Sequence, residues 1–179
     1  EIKIFNPISS DLNVLRKSIF SNLAIHLKKN QDRGNEDLSF FEVGPTFFGK
    51  NPGEQQTTLG ALKSGVVNRK NWLEKSRNVD VFDVKRDTIR TLVELGINEN
   101  DLYISDKAKS CYHPGRSGAI NLKSKNGTHL AYFGELHPAI VSNLDFKEKN
   151  IYGLEIFLKN IPQPNKKVRI SKENYIASD

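Results

Sequence analysis

Methionine is absent from this 179-residue chain, cysteine and tryptophan each occur once, and no apolar run approaches the length of a membrane span. A single thiol, Cys111, excludes an intramolecular disulfide and any zinc site built on several cysteines, and it agrees with a reducing compartment such as the cytoplasm. With no stretch of roughly 18 consecutive apolar residues, no membrane helix is expected, and the N-terminus lacks the charged-then-apolar pattern of a secretory signal. The missing methionine, together with a start at Glu1 inside what reads as a strand, leads us to expect a piece of a longer protein. Two phosphate-cradling patterns, G-x-x-x-x-G-K-[ST] and G-x-G-x-x-G, are missing, as is the nucleophile elbow G-x-S-x-G, which removes most support for those enzyme classes.

The chain carries 27 basic and 21 acidic residues, a net charge of +6, which permits contact with nucleic acid without demanding it. The basic residues fall in scattered pairs such as Lys28 and Lys29, Arg69 and Lys70, or Lys85 and Arg86, with acids between them. Such a pattern reads mainly as solvated surface. The densest group, Lys166, Lys167, Arg169 and Lys172, lies in a tail from Ile161 onward that has no apolar period and reads as a linker.

Hydrophobic spacing supplies the elements. Leu12, Leu15, Ile19, Leu23 and His26 recur at helical intervals, so a helix is expected from Asp11 to Gly34, capped by Ser9 or Ser10. Asp37 to Phe48 and Thr57 to Val67 read as two strands joined by a long turn. Val81, Phe82, Val84, Ile89, Leu92, Val93 and Leu95 suit an amphipathic helix ending at Gly96, with Arg86, Asp87 and Arg90 on its wet side. A short strand near Leu102 to Ile104 precedes HPGRSG, read as a turn. Ala119 to Lys123 and His129 to Phe133 flank a Lys125-Asn126-Gly127 hairpin turn. Pro138 opens a short helix, and Ile151 to Leu158 makes a last strand. This succession specifies an α+β domain with a mainly antiparallel sheet flanked by helices, because the connections between paired strands are too short for parallel crossovers.

Candidate chemistry is sparse. Cys111, His113, His129 and His137 match no familiar zinc spacing, so no metal site is expected. Glu42 and Glu135 sit in or beside strands where burial could prepare them for acid/base work, or where an arginine could hold them for structural reasons. Arg16 and Arg116 are the natural partners, since a guanidinium can clamp a carboxylate through two parallel hydrogen bonds. Arg116 also admits a plainer reading, an incidental residue on a surface turn beside His113. The clustered Phe40, Phe41, Phe47 and Phe48 read as core or interface rather than as a base-stacking platform.

Five blocks in order, NPISSDLNVLRKSIF, FFEVGPTFF, FDVKRDTIRTLVELG, HPGRSG and FGELHP, resemble the C-terminal half of the bacterial phenylalanine tRNA synthetase β subunit. The resemblance spans nearly the whole chain. It implies a class II aminoacyl-tRNA synthetase-like module over residues 1–160 that has lost its active site, followed at 161–179 by a linker toward an anticodon-binding domain. It further implies a catalytic α subunit as partner, tRNA bound through the parent complex, ATP and magnesium used in that complex but no cofactor here, and no membrane. In such a module Arg16, Glu42, His113, Arg116, Glu135 and His137 would be structural anchors, and no residue would be catalytic. Class II adenylate chemistry needs one arginine for the α-phosphate and another for the γ-phosphate. The resemblance, with GPTFF laid on the corresponding strand of the catalytic subunit, implies Phe48 at the first position and, depending on register, Ile156 or Asn160 at the second, and between Arg116 and Arg169 there is no arginine. In one register the resemblance also implies that Glu155 and Phe157 replace the glycines that would let the backbone approach ATP. Two other readings stand beside the scaffold: a direct tRNA-binding module, and an active adenylate-forming domain.

Overall fold

A computed structural model of the chain describes residues 2–3, 14–51, 53–67, 76–123 and 127–162. Its centre is a six-stranded sheet of β3 (Leu38–Phe47), β4 (Gln55–Ser64), β5 (Leu102–Ser105), β6 (Tyr112–Leu122), β7 (His129–Leu136) and β8 (Tyr152–Phe157). Their order is β3-β4-β8-β7-β6-β5, and every neighbouring pair is antiparallel. The last strand therefore enters the middle of the sheet, between β4 and β7. A small separate ribbon pairs β1 (Ile2–Lys3) with β2 (Val14–Leu15).

Helix α1 (Phe20–Asp32) covers one face and α2 (Val81–Glu94) the other. The α1 side buries Ile19, Phe20, Leu23 and Leu27 against Leu62, Tyr112, Leu136 and Ile151. Opposite, Val84 and Leu92 meet Ile120, Leu130, Phe133, Leu154 and Ile156. Helix α2 starts where chemistry says it should: the Asp80 carboxylate accepts the Phe82 and Asp83 amides, and Asp83 returns a bond to the Asp80 amide. It stops at Gly96, whose φ of +94° is cheap only without a side chain. The short α3 (Pro138–Asn143) has Pro138 in its first turn, where no amide is needed. Among the described residues no helix is long and apolar enough to cross a membrane.

Three local expectations need correction. The first helix begins at Phe20, not Asp11, because residues 14–15 are strand and the Arg16 carbonyl accepts the Phe47 amide at 2.9 Å, holding this stretch along the end of β3. The Ser18 hydroxyl accepts the Phe20 amide at 3.2 Å; Ser9 and Ser10 lie outside the described residues. HPGRSG is not a turn between elements but a bulge inside β6: Tyr112 faces Leu136 and Ser117 already faces Gly134, so four residues loop out opposite Glu135. On α2, Asp87 is not on the wet side but pairs with Lys63 of β4, whereas Phe82 is 69% exposed. The tail beyond residue 162 and the Lys125-Asn126 turn lie outside the described residues.

Candidate functional site

Successive residues of a strand point to opposite faces, so the pairing register states which side chains meet. On β8, Tyr152, Leu154 and Ile156 enter the core beneath α2. Gly153, Glu155 and Phe157 consequently face the α1 side. Cross-strand pairing sets Glu42, Gly60, Glu155 and Tyr132 in one transverse row over β3, β4, β8 and β7. Both carboxylates of this row face the stretch that leads into α1.

That stretch lies on the sheet. The Arg16 guanidinium forms an ion pair with Glu42, and its Nε–H donates to the Pro45 carbonyl at 2.8 Å. A methyl group added at Gly44 would collide with that guanidinium, one added at Gly60 with Ile19, and one at Gly153 would sit 2.9 Å from the Phe20 ring. The three glycines leave room for Arg16, Ile19 and Phe20 of the same chain.

Glu155 is 1% exposed. It accepts the Lys109 Nζ at 2.9 Å and the Ser18 hydroxyl at 3.2 Å. The Lys109 ammonium also stands 4.9 Å from the centre of the Phe157 ring and 5.1 Å from that of Tyr132, within the range of cation–π attraction. Tyr132 extends the aromatic group to His129 at 4.1 Å and Tyr112 at 6.3 Å. Beside this cluster the buried hydroxyls of Thr46 and Thr58 hydrogen-bond at 2.8 Å.

The titratable groups here are tuned away from reactivity at neutral pH. Burial, helped by the Glu155 charge, pushes the Cys111 thiol up to about 11. The Tyr112 hydroxyl is raised well above its usual range by the same causes and has no hydrogen-bond partner among the described residues. Burial and then the Lys109 charge lower His129 to about 4, so its ring is neutral; its Nδ1–H donates to the Asn121 Oδ1 at 3.0 Å. Among the described residues, neither Cys111, Tyr112 nor His129 is poised as a nucleophile or base near pH 7.

The remaining sequence-derived residues are dispersed. Arg116 clamps Glu135 with two donors, Nε toward Oε2 and Nη2 to Oε1 at 2.9 Å, across the mouth of the β6 bulge. His113 Nδ1 accepts the Gly115 amide at 3.0 Å within that bulge, and His137 Nδ1 accepts the Ala139 amide at 3.2 Å at the start of α3. Phe48 is exposed just past β3, Ile156 is fully buried under α2, and the Asn160 amide donates to the His129 carbonyl at 2.8 Å. Cys111, His113, His129 and His137 do not converge, and among the described residues no three His, Cys, Asp or Glu side chains are grouped to hold a metal ion.

The reading from sequence missed Lys109, Ser18 and Tyr132, and it treated Glu155 only as a replaced glycine. One signal was present: a carboxylate inside the apolar run YGLEIF must be paired if the strand is buried on both faces.

Comparison with known proteins bears on the whole chain. Residues 1–158 match the family described as the phenylalanyl tRNA synthetase beta chain CLM domain. A phenylalanine–tRNA ligase beta subunit from Paramagnetospirillum magneticum is 38% identical over 99% of this chain and 22% of its own length. One from Rhodospirillum rubrum is 40% identical over 89% of this chain and 19% of its own. The chain thus spans about a fifth of the length of the curated relatives it matches. Among solved structures, a pyrrolysyl tRNA synthetase from Desulfitobacterium hafniense aligns with a TM-score of 0.59 over 87% of this chain and 51% of that one, at 14% identity. That likeness is one of fold, and it identifies the antiparallel sheet with its flanking helices as class II-like.

Proposed function

The chain belongs to the phenylalanyl-tRNA synthetase β-chain family, and from that premise we propose that it is a non-catalytic, architectural domain of the synthetase. It packs against a catalytic α subunit in a cytoplasmic enzyme that joins phenylalanine to its tRNA with ATP and magnesium, and it carries none of that chemistry itself. Residues 1–160 form the domain and 161–179 connect it onward. Arg16, Glu42, Arg116 and Glu135 act as anchors between distant segments, while His113 and His137 satisfy local backbone amides.

One observation carries this reading: the sheet face bearing Glu155 and Phe157 is filled by the chain's own Arg16, Ile19 and Phe20, with Glu155 buried as an anion beneath them. A nucleoside triphosphate does not fit these residues. Its phosphates would bring negative charge onto a buried carboxylate whose nearby lysine is already engaged, and Ile19 occupies the flat surface over Gly60. Phe48 offers no positive charge at its position.

The contact with the α subunit is assigned to the outer side of α1, with exposed Ile25, and to β3. This edge strand presents Phe41, 77% exposed, and Val43 on the face that α2 leaves uncovered. The β chain purified without α is expected to show no phenylalanine-dependent ATP–pyrophosphate exchange and to co-elute with α when mixed. Exchange by β alone, or separate elution of two demonstrably folded subunits, would overturn the scaffold.

A further inference from the structure

Helix α2 has three acids and three bases, so its sequence is neutral, yet packing sorts the two signs. Asp83 is 3% exposed and held by Arg77 and Arg86, and Asp87 pairs with Lys63 on the sheet. The bases go the other way. Phe82, Arg86 and Arg90 follow spacings of four and are exposed on the face turned from the sheet, with half-buried Lys85 beside them and Ile89 between them and the core it packs against. They line a shallow recess of about 350 Å³, with Glu99 on its rim. Among the described residues Lys85 and Arg90 have no carboxylate partner, and Glu94, near the C-terminal end, engages neither.

We propose that this outer face of α2 docks an unpaired stretch of RNA, with Lys85 and Arg90 on successive phosphates and the Phe82 ring stacked against a base. The chemistry favours RNA over an acidic protein surface because the cations flank an exposed aromatic ring. A polyphosphate chain with π-faced bases uses both features; carboxylates use one. The cations are separated by little more than one helical turn, a span that neighbouring phosphates of an extended strand can match. Arg86, already shared with Asp83, adds potential but less contact. This binding uses a different surface from the architectural contact, since α2 lies on the opposite side of the sheet from α1 and packs on β7 and β8, away from the exposed Phe41 and Val43 of edge strand β3.

The test is fluorescence anisotropy of the full chain with a labelled single-stranded RNA across a salt series. Lys85→Ala with Arg90→Ala should weaken binding roughly five- to tenfold and flatten the log–log salt slope by about 1.4, the contribution of two phosphates on a single strand. Phe82→Ala should weaken binding at least about fivefold with the slope unchanged. Lys85→Arg with Arg90→Lys should retain it, which guards against a merely misfolded double variant. The charge-matched pair Lys107→Ala with Lys149→Ala, on exposed residues elsewhere, should change little. Equal losses from both alanine pairs, or none from the α2 pair with its melting midpoint intact, would overturn the proposal. Competition by poly-glutamate as effective as by unlabelled RNA would overturn the assignment to RNA. Association with the α subunit is read independently by co-elution, so either idea can fail alone.

Discussion

Replacing Lys109 by methionine leaves the Glu155 carboxylate, 1% exposed, with Ser18 as its one remaining hydrogen-bond donor among the described residues. Removing one side of a fully buried ion pair costs about 3–5 kcal/mol because the other charge stays desolvated. Here the Lys109 side chain is 38% exposed. Water therefore already screens the ammonium, and the expected loss falls to about 2–3 kcal/mol, including its contacts with the Tyr132 and Phe157 rings. For a chain of this size that corresponds to a fall of about 5–10 °C in melting midpoint. The second arm isolates the charge. Adding Glu155→Gln to Lys109→Met removes the stranded anion and should restore at least about 1 kcal/mol, measured by urea denaturation as a double-mutant cycle. The reasoning is refuted if Lys109→Met melts within about 1 °C of the unmodified chain, or if the double variant is no more stable than the single one.

Gly60→Ala should destabilise by about 1–3 kcal/mol, because the new methyl collides with the Ile19 Cγ2 methyl; in an Ile19→Ala background, which lacks that methyl, the added cost of Gly60→Ala should shrink in the same melting assay. Acid should weaken the fold through His129. Its folded value of about 4 lies below the ordinary 6.5, so the unfolded chain binds the extra proton, and stability present above pH 6.5 is lost as pH falls toward 4. The loss is on the order of 2 kcal/mol, and His129→Gln should flatten that part of the profile; an unchanged profile would contradict the burial argument. Cys111, raised to about 11, should react with a thiol reagent at pH 8 about a hundredfold more slowly than an unperturbed thiol, and rapid labelling of the folded chain would count against it.

Much of the domain can be read along the chain, because periodicity and turn chemistry are properties of neighbouring residues. The apolar spacing from Val81 to Leu95 and the stop at Gly96 predict α2 almost to the residue, and Pro138 marks α3 in the same way. The strands Leu38–Phe47 and Gln55–Ser64 are equally legible, with their bounds shifted by one to three residues. The Arg16–Glu42 and Arg116–Glu135 contacts join residue types whose complementarity is visible in the sequence, although the pairing itself depends on where the segments come to lie. Glu155 illustrates that dependence. It meets Lys109 46 residues away and Ser18 137 away, and no local pattern encodes such distances. They arise because β8 inserts between β4 and β7, which places Glu155 in one row with Glu42, Gly60 and Tyr132 and under the approach to α1. The sorting of charge on α2 and the late start of α1 have the same origin. Sheet order and register are collective outcomes of the whole chain, and they choose which of many locally equivalent charges becomes buried, paired or free.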